Sequence, residues 1–139
     1  MKKWYESLEK LFFRILRLGN YYDNHKIAAV GIDVVDIDRF KWLVTKFPSF
    51  MPRFFHPSEQ VLDKHSLAAR FAAKEALFKA GCPINPLLYR KIEVDYTDLG
   101  VPFFTGNQVL LNSKLKDFQV SISHSQISAV AIVIKLNRN

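Results

Sequence analysis

The chain has 139 residues, of which 49% are aliphatic, aromatic or Cys, and it carries 20 Lys and Arg against 13 Asp and Glu for a formal charge of +7. That suits one domain with one core and is too short for two full domains, too apolar for a disordered chain, and free of any apolar run long enough to span a membrane. A single cysteine, Cys82, excludes an intrachain disulfide framework and a cysteine-based zinc site, in keeping with a reducing, cytoplasmic setting.

The first 26 residues differ in texture from the rest. Trp4, Leu8, Leu11, Ile15 and Leu18 recur every three or four positions, Phe12 widens that stripe, and Gly19-Asn20 supplies a helix stop. Basic residues outnumber acids there, so the segment reads as a basic amphipathic helix. It would dock on its own domain or on a neighbouring subunit, or lie on a membrane surface. Arg14 and Arg17 interrupt the apolar stretch, and no small-residue cleavage site follows, which argues against a cleaved signal. The main domain is assigned to residues 27–139.

From Lys26 the pattern changes. IAAVGIDVV predicts a buried strand that runs into a turn or helix start at Asp36, and FKWLVTKF a short helix closed by Pro48 and Pro52. His56-Pro57-Ser58-Glu59 resembles a helix start, with His56 as the cap and Glu59 three residues on. A further helix is predicted after Ser66, through LAARFAAKEALFKA to Gly81. KIEVDYT alternates like a half-buried strand, Asp98-Leu99-Gly100 makes a turn, and VPFFT follows. NQVLLNSKLKD predicts a short helix capped by Asn107. FQVSISH and SAVAIVIKL are two strands joined tightly at Ser125-Gln126-Ile127. The sum is an α+β fold, a mainly antiparallel sheet packed against helices.

Three islands carry candidate chemistry. Asp33 falls among Val30, Ile32, Val34 and Val35, on the strand face opposite Ile32 and Val34. A carboxylate there is paired with a basic side chain, exposed at a sheet end, or coordinating a cation. The second island is RFAAKEALFKA. Glu75 and Lys79 are four residues apart, an ordinary helix pair of ~0.3–0.5 kcal/mol. Yet Ala69, Ala72, Ala73, Ala76 and Ala80 make a slim helix that another backbone can approach, and Arg70, Lys74 and Lys79 can converge on an anion. A hard cation such as Mg²⁺ needs only one or two carboxylates plus phosphate oxygens and water, and Asp33 with Glu75 would suffice. The third island, VSISHSQISAVAIV, leaves His124 at a strand end beside Ser121 and Ser123. It is either a surface histidine or a hydrogen-bond donor to phosphate. No G-x-S-x-G elbow supports a serine hydrolase. The basic excess attracts anions of every kind, but no nucleic-acid recognition motif accompanies it.

The order GIDVVDIDR, RFAAKEALFKA, VSISHSQISAVAIV resembles the holo-acyl-carrier-protein synthase family, the small single-domain 4′-phosphopantetheinyl transferases, over roughly residues 27–136. The resemblance implies an α+β enzyme of fatty acid biosynthesis. Such an enzyme moves the 4′-phosphopantetheine arm of coenzyme A to a serine of apo-acyl carrier protein and releases adenosine 3′,5′-bisphosphate. It further implies that Asp33 and Glu75 hold Mg²⁺, that Lys79 acts with them, and that Arg70, Lys74, Lys79 and His124 meet the coenzyme A phosphates. Arg39 would meet the carrier's acidic helix, and three chains would assemble with active sites at their interfaces. Two stretches depart from the family's pattern. Gly81-Cys82-Pro83-Ile84-Asn85-Pro86 replaces a glycine-rich loop, and Gly100-Val101-Pro102 replaces the usual G-K-P. A chain that only binds coenzyme A or carrier protein, without transfer, is the alternative reading.

Overall fold

A computed structural model describes residues 25–138, so the helix expected within residues 1–26 lies outside the described residues. Strand β1 (His25–Asp36) leads directly into helix α1 (Ile37–Lys46). The switch is made by Asp36, whose Oδ1 accepts the Arg39 N–H at 2.7 Å and so occupies an otherwise orphaned donor of the first turn. Ile37, Phe40 and Val44 then turn one face of α1 inward. Pro52 does not close this region as expected. It sits as the third residue of a short helix α2 (Phe50–Phe54), where no intrahelical N–H donor is required.

The segment after His56 is a turn rather than a helix, although Glu59 makes the back-bond to the cap residue that a capping box calls for. Glu59 accepts the His56 N–H at 2.9 Å from inside the core. The long helix α3 (Lys64–Lys79) starts at Asp63, not after Ser66. The carboxylate of Asp63 accepts the N–H groups of His65 and Ser66 and the Ser66 hydroxyl. Those bonds from Ser66 hold the Asp63 carboxyl below its ordinary range. Gly81 ends the helix with φ +80°, the left-handed conformation that a residue without a Cβ adopts at least cost.

Pro86–Lys91 forms a 3₁₀ helix, an element the sequence did not announce, capped by Asn85 through the Leu87 N–H at 2.9 Å. Strands β2 (Ile92–Tyr96) and β3 (Pro102–Gly106) follow, then helix α4 (Val109–Leu115) and strands β4 (Phe118–His124) and β5 (Ser128–Arg138). Asn107 does not cap α4; its side chain pairs with His56 Nε2 at 3.0 Å. The strands are antiparallel as expected, but they divide into a three-stranded sheet ordered β1-β5-β4 and a separate β2–β3 hairpin.

Helix α3 packs on the inner face of the larger sheet, and the contact is backbone against backbone. A Cβ built on Gly31 would lie 2.0 Å from the Ala76 carbonyl oxygen and 2.6 Å from the Ala80 nitrogen. The alanines of α3 serve the same end: Ala72, Ala73, Ala76 and Ala80 are wholly buried. An aromatic group of Phe40, Phe50, Phe54, Phe55 and Phe71 fills the space between α1, α2 and α3, with Phe50 and Phe71 centroids 5.3 Å apart.

The expectation of a strand buried on both faces fails for β1. Gly31, Asp33 and Val35 face the helix, while Val30, Ile32 and Val34 point outward. Val34 is 64% exposed, and Ile132 of β5 stands beside Ile32 on the same outer face. Within one chain, then, Asp33 faces in while Val30, Ile32 and Val34 face solvent.

Candidate active site

The close approach at Gly31 brings β1 and α3 together two residues before Asp33 and, at Ala76, one residue after Glu75. Asp33 and Glu75 consequently line one cleft of about 470 Å³, along with Val34, Val35, Asp36, Arg39, Phe40, Leu43 and Phe71. Glu75 is partly buried, and its carboxyl is pushed above its ordinary range, first by burial and then by the negative charge of Asp33. A half-buried acid whose ionisation is opposed by burial and by a neighbouring carboxylate is a group whose charge a cation can relieve.

Lys79 reaches this pair, but not in the manner its spacing suggests. Among the described residues it forms no ion pair with Glu75. Its ammonium instead donates to Asp33 Oδ1 at 2.7 Å and to the Ile32 carbonyl at 3.2 Å. Its side chain is half exposed, so the charge sits at the rim of the cleft. Arg39, on α1, lines the same opening. Asp33, Glu75, Lys79 and Arg39 are therefore gathered at one place by three separate elements.

The remaining predicted residues lie elsewhere. Lys74 is 0% exposed, and its ammonium donates to Glu59 Oε2, to the Phe54 carbonyl at 3.2 Å and to the Tyr89 carbonyl at 3.1 Å. An ammonium has three hydrogens, and all three are committed. The expectation that Lys74 meets phosphate is thus not met in this chain's geometry; it is a buried structural cation. Burial lowers its pKa to about 8, against the opposing pull of Glu59. Arg70 donates from Nε to the Val94 carbonyl at 3.2 Å, and its guanidinium lies 5.1 Å from the centre of the Tyr96 ring. His124 is exposed at the end of β4, its ring 6.4 Å from that of His65. Neither Arg70 nor His124 lines the Asp33–Glu75 cleft of its own chain.

Sequence reasoning did not single out three residues that the fold places on or beneath this region. Asp36 is a third carboxylate on the cleft wall, visible in the sequence only as one of several acids after the strand. Glu59 completes the Lys74 pair: Oε1 accepts the Val94 N–H at 2.8 Å, while Oε2 takes Lys74 and the His56 N–H. Locally it is marked only as a capping acid for His56; its other partners come from α3 and β2. Tyr89, on the 3₁₀ helix, is wholly buried. Its hydroxyl has no hydrogen-bond partner among the described residues, and burial pushes its pKa up.

The family model of the 4′-phosphopantetheinyl transferase superfamily matches residues 29–134, which contain every residue of this cleft. A holo-[acyl-carrier-protein] synthase of Renibacterium salmoninarum is 52% identical over 112 residues, covering 78% of this chain and 96% of that one. The chain belongs to the holo-[acyl-carrier-protein] synthase family. The synthase of Clavibacter michiganensis subsp. michiganensis is 38% identical over 112 residues, with 78% of this chain and 94% of that one aligned. The crystal structure of the Helicobacter pylori synthase in complex with coenzyme A superposes with a TM-score of 0.65 at 33% identity, covering 76% of this chain and 98% of that one. The α+β fold and the family expected from the three motifs are both borne out. Among the described residues no helix is long and apolar enough to cross a membrane.

Proposed function

We propose that this synthase transfers the 4′-phosphopantetheine arm of coenzyme A to a serine hydroxyl of apo-acyl carrier protein, as a Mg²⁺-dependent, cytoplasmic enzyme of fatty acid biosynthesis. The observation that carries the reading is the meeting of Asp33 and Glu75, 42 positions apart in the chain, in one cleft rimmed by Lys79 and Arg39. In the reaction the serine oxygen forms a bond to the phosphorus that bears the pantetheine arm. The phosphorus–oxygen bond of the diphosphate breaks, and adenosine 3′,5′-bisphosphate leaves with the bonding pair while the hydroxyl gives up its proton. Negative charge grows on the diphosphate oxygens as this happens.

The donor set fits a hard divalent cation: two carboxylate oxygens, with room for phosphate and water. When bound, Mg²⁺ would supply Lewis-acid stabilisation of that growing charge. Asp33 and Glu75 would hold it, and the ammonium of Lys79 stands beside Asp33, where it can also face a phosphate oxygen. Arg39, exposed on α1 at the mouth of the cleft, offers its charge to an acidic surface on the carrier.

Arg70 and His124 lie off the cleft of their own chain. The outward face formed by Val30, Ile32, Val34 and Ile132 is an apolar surface that another copy can cover. A homotrimer with the site completed across each interface accommodates both facts, the second chain lending its phosphate-facing cations.

The test is an intact-mass assay of apo-carrier with coenzyme A and Mg²⁺. The protein adds the phosphopantetheine mass, and Asp33→Ala or Glu75→Ala loses about 10²–10³-fold in rate, the usual cost of removing one electrostatic partner from a transition state, with the circular dichroism spectrum retained. Wild-type turnover in either variant would overturn the metal assignment. Retained coenzyme A binding with no transfer to any of several carriers would leave only a binding module.

A further inference from the structure

We propose that Lys79 is an exchangeable counter-ion of Asp33: its ammonium holds the aspartate oxygen against a divalent cation, and yields it for an oxygen of the diphosphate when the cation binds. This exchange rests on the reading of Asp33 and Glu75 as the cation-holding pair, and adds to it a competition that sets how tightly the pair binds its ion.

Three observations carry it. First, the ammonium is placed on β1 by acceptors of two consecutive residues, Asp33 Oδ1 at 2.7 Å and the Ile32 carbonyl at 3.2 Å. Second, it takes the acid 46 positions away and not the one a helical turn before it. Glu75 lines the same cleft, yet among the described residues Lys79 makes no ion pair with it. Third, the lysine is not locked in place. Its side chain is 50% exposed, against 16% for Asp33 and 0% for Lys74. Two of its three hydrogens have acceptors among the described residues, whereas Lys74 commits all three.

An ammonium at 2.7 Å from Asp33 Oδ1 leaves no room for a second positive charge on that oxygen without repulsion between like charges. The pair is nevertheless easy to part. A half-exposed ion pair favours its closed form by a factor of about five at most. Lys79 is therefore displaced by an ion that faces two carboxylates, at some loss of that ion's apparent affinity. Its flexible four-carbon stem, half in water, keeps the displaced ammonium at the rim of the cleft. A diphosphate there brings more negative charge than one aspartate does. Drawing Lys79 away frees Asp33, so the diphosphate favours the cation, and by reciprocity the cation favours the diphosphate.

The test is Lys79→Met in the full chain, beside Lys79→Arg, which keeps the charge. Mn²⁺ is titrated into each protein without coenzyme A, and the free ion is followed by its paramagnetic resonance signal. The expected result is Mn²⁺ bound about two- to fivefold more tightly by Lys79→Met than by wild type. Lys79→Arg should stay close to wild type, and transfer by Lys79→Met should be slower despite the tighter ion. A lysine that only braces β1 against α3 would leave Mn²⁺ binding unchanged or weaker on removal, and either result overturns the proposal. Equal tightening in Lys79→Met and Lys79→Arg overturns it too, since charge would not be the cause. Undiminished transfer by Lys79→Met would sink the move to the diphosphate. If Lys79→Met does not fold, Lys79→Gln carries the same comparison with the same outcomes. Asp33→Ala separates the two levels of inference. If it binds Mn²⁺ as well as wild type does, the cation-holding pair itself is wrong. If it loses Mn²⁺ while Lys79→Met gains nothing, only the exchange falls.

Discussion

Lys74 and Glu75 are neighbours in the chain and opposites in circumstance. Lys74 turns into the core and meets Glu59 in an ion pair in which each hydrogen of the ammonium has an acceptor. Glu75 turns into an open cleft and meets another acid, Asp33, with burial and like charge both opposing its ionisation. One site is closed and satisfied; the other is open and electrostatically frustrated. Helix α3 builds its structural anchor and its chemical site from adjacent residues because successive side chains on a helix point about 100° apart. The difference teaches how to sort charged residues in a motif. A charge whose hydrogen-bonding capacity is exhausted inside the protein has none left for a ligand.

The largest predicted effect breaks the closed pair. Lys74→Met leaves Glu59 buried without a countercharge and should cost about 3–5 kcal/mol, read by urea denaturation. The double variant Lys74→Met with Glu59→Leu should recover much of it, since replacing both partners of a buried pair by apolar groups is often neutral. If Lys74→Met unfolds no more easily than wild type, the pair is not the anchor described here.

Gly31→Ala attacks the open pair and spares the closed one. Its new Cβ would collide with the Ala76 carbonyl, so β1 and α3 must separate, at a cost of about 1–3 kcal/mol. Because Asp33 and Glu75 sit on opposite sides of that contact, transfer activity should fall further than stability does. A variant that loses stability while keeping full activity would show that the close approach does not set the distance between the carboxylates.

The smallest effect has an unusual sign. The Glu75 pKa in the folded protein lies above its ordinary value, so the folded state binds the proton more tightly than the unfolded chain does. The stability this contributes is fully present below the unfolded pKa and is lost as pH rises through the raised one. At neutral pH the charged Glu75 is therefore a burden on the metal-free protein. Glu75→Gln should unfold at a slightly higher temperature than wild type at pH 7, with the advantage shrinking toward acid, while transfer is lost. A lower midpoint at pH 7 would mean that Glu75 contributes to stability as well as to the site.

Much of the fold was legible because it rests on short-range rules. The alternation of FQVSISH and of KIEVDYT, the helix stop at Gly81 and the alanine-rich stretch before it fixed strand, strand and helix close to where they lie. The readings that failed were those in which a distant partner overrode a local pattern. Glu59 makes the capping bond to His56 that its spacing suggests, but no helix follows, and the same carboxylate is also claimed by Lys74 and by β2. Glu75 and Lys79 had the spacing of a helix pair, yet Asp33 offered Lys79 the nearer anion. Tyr89 carried no signal, since a tyrosine in a loop-like stretch is ordinary until packing buries it whole.

By itself the sequence determined most of the elements, their order and the family, and singled out Asp33, Glu75 and Lys79 as candidates for one site, because periodicity and motif spacing are properties of the chain. Only the tertiary structure decided which charges are free. It spent Lys74 on Glu59, turned the apolar side chains of β1 outward and its aspartate inward, and set that aspartate beside Glu75. Which partner a charge finds depends on the packing of backbones far apart in sequence, here on a helix seated against a glycine, and no local pattern encodes that distance.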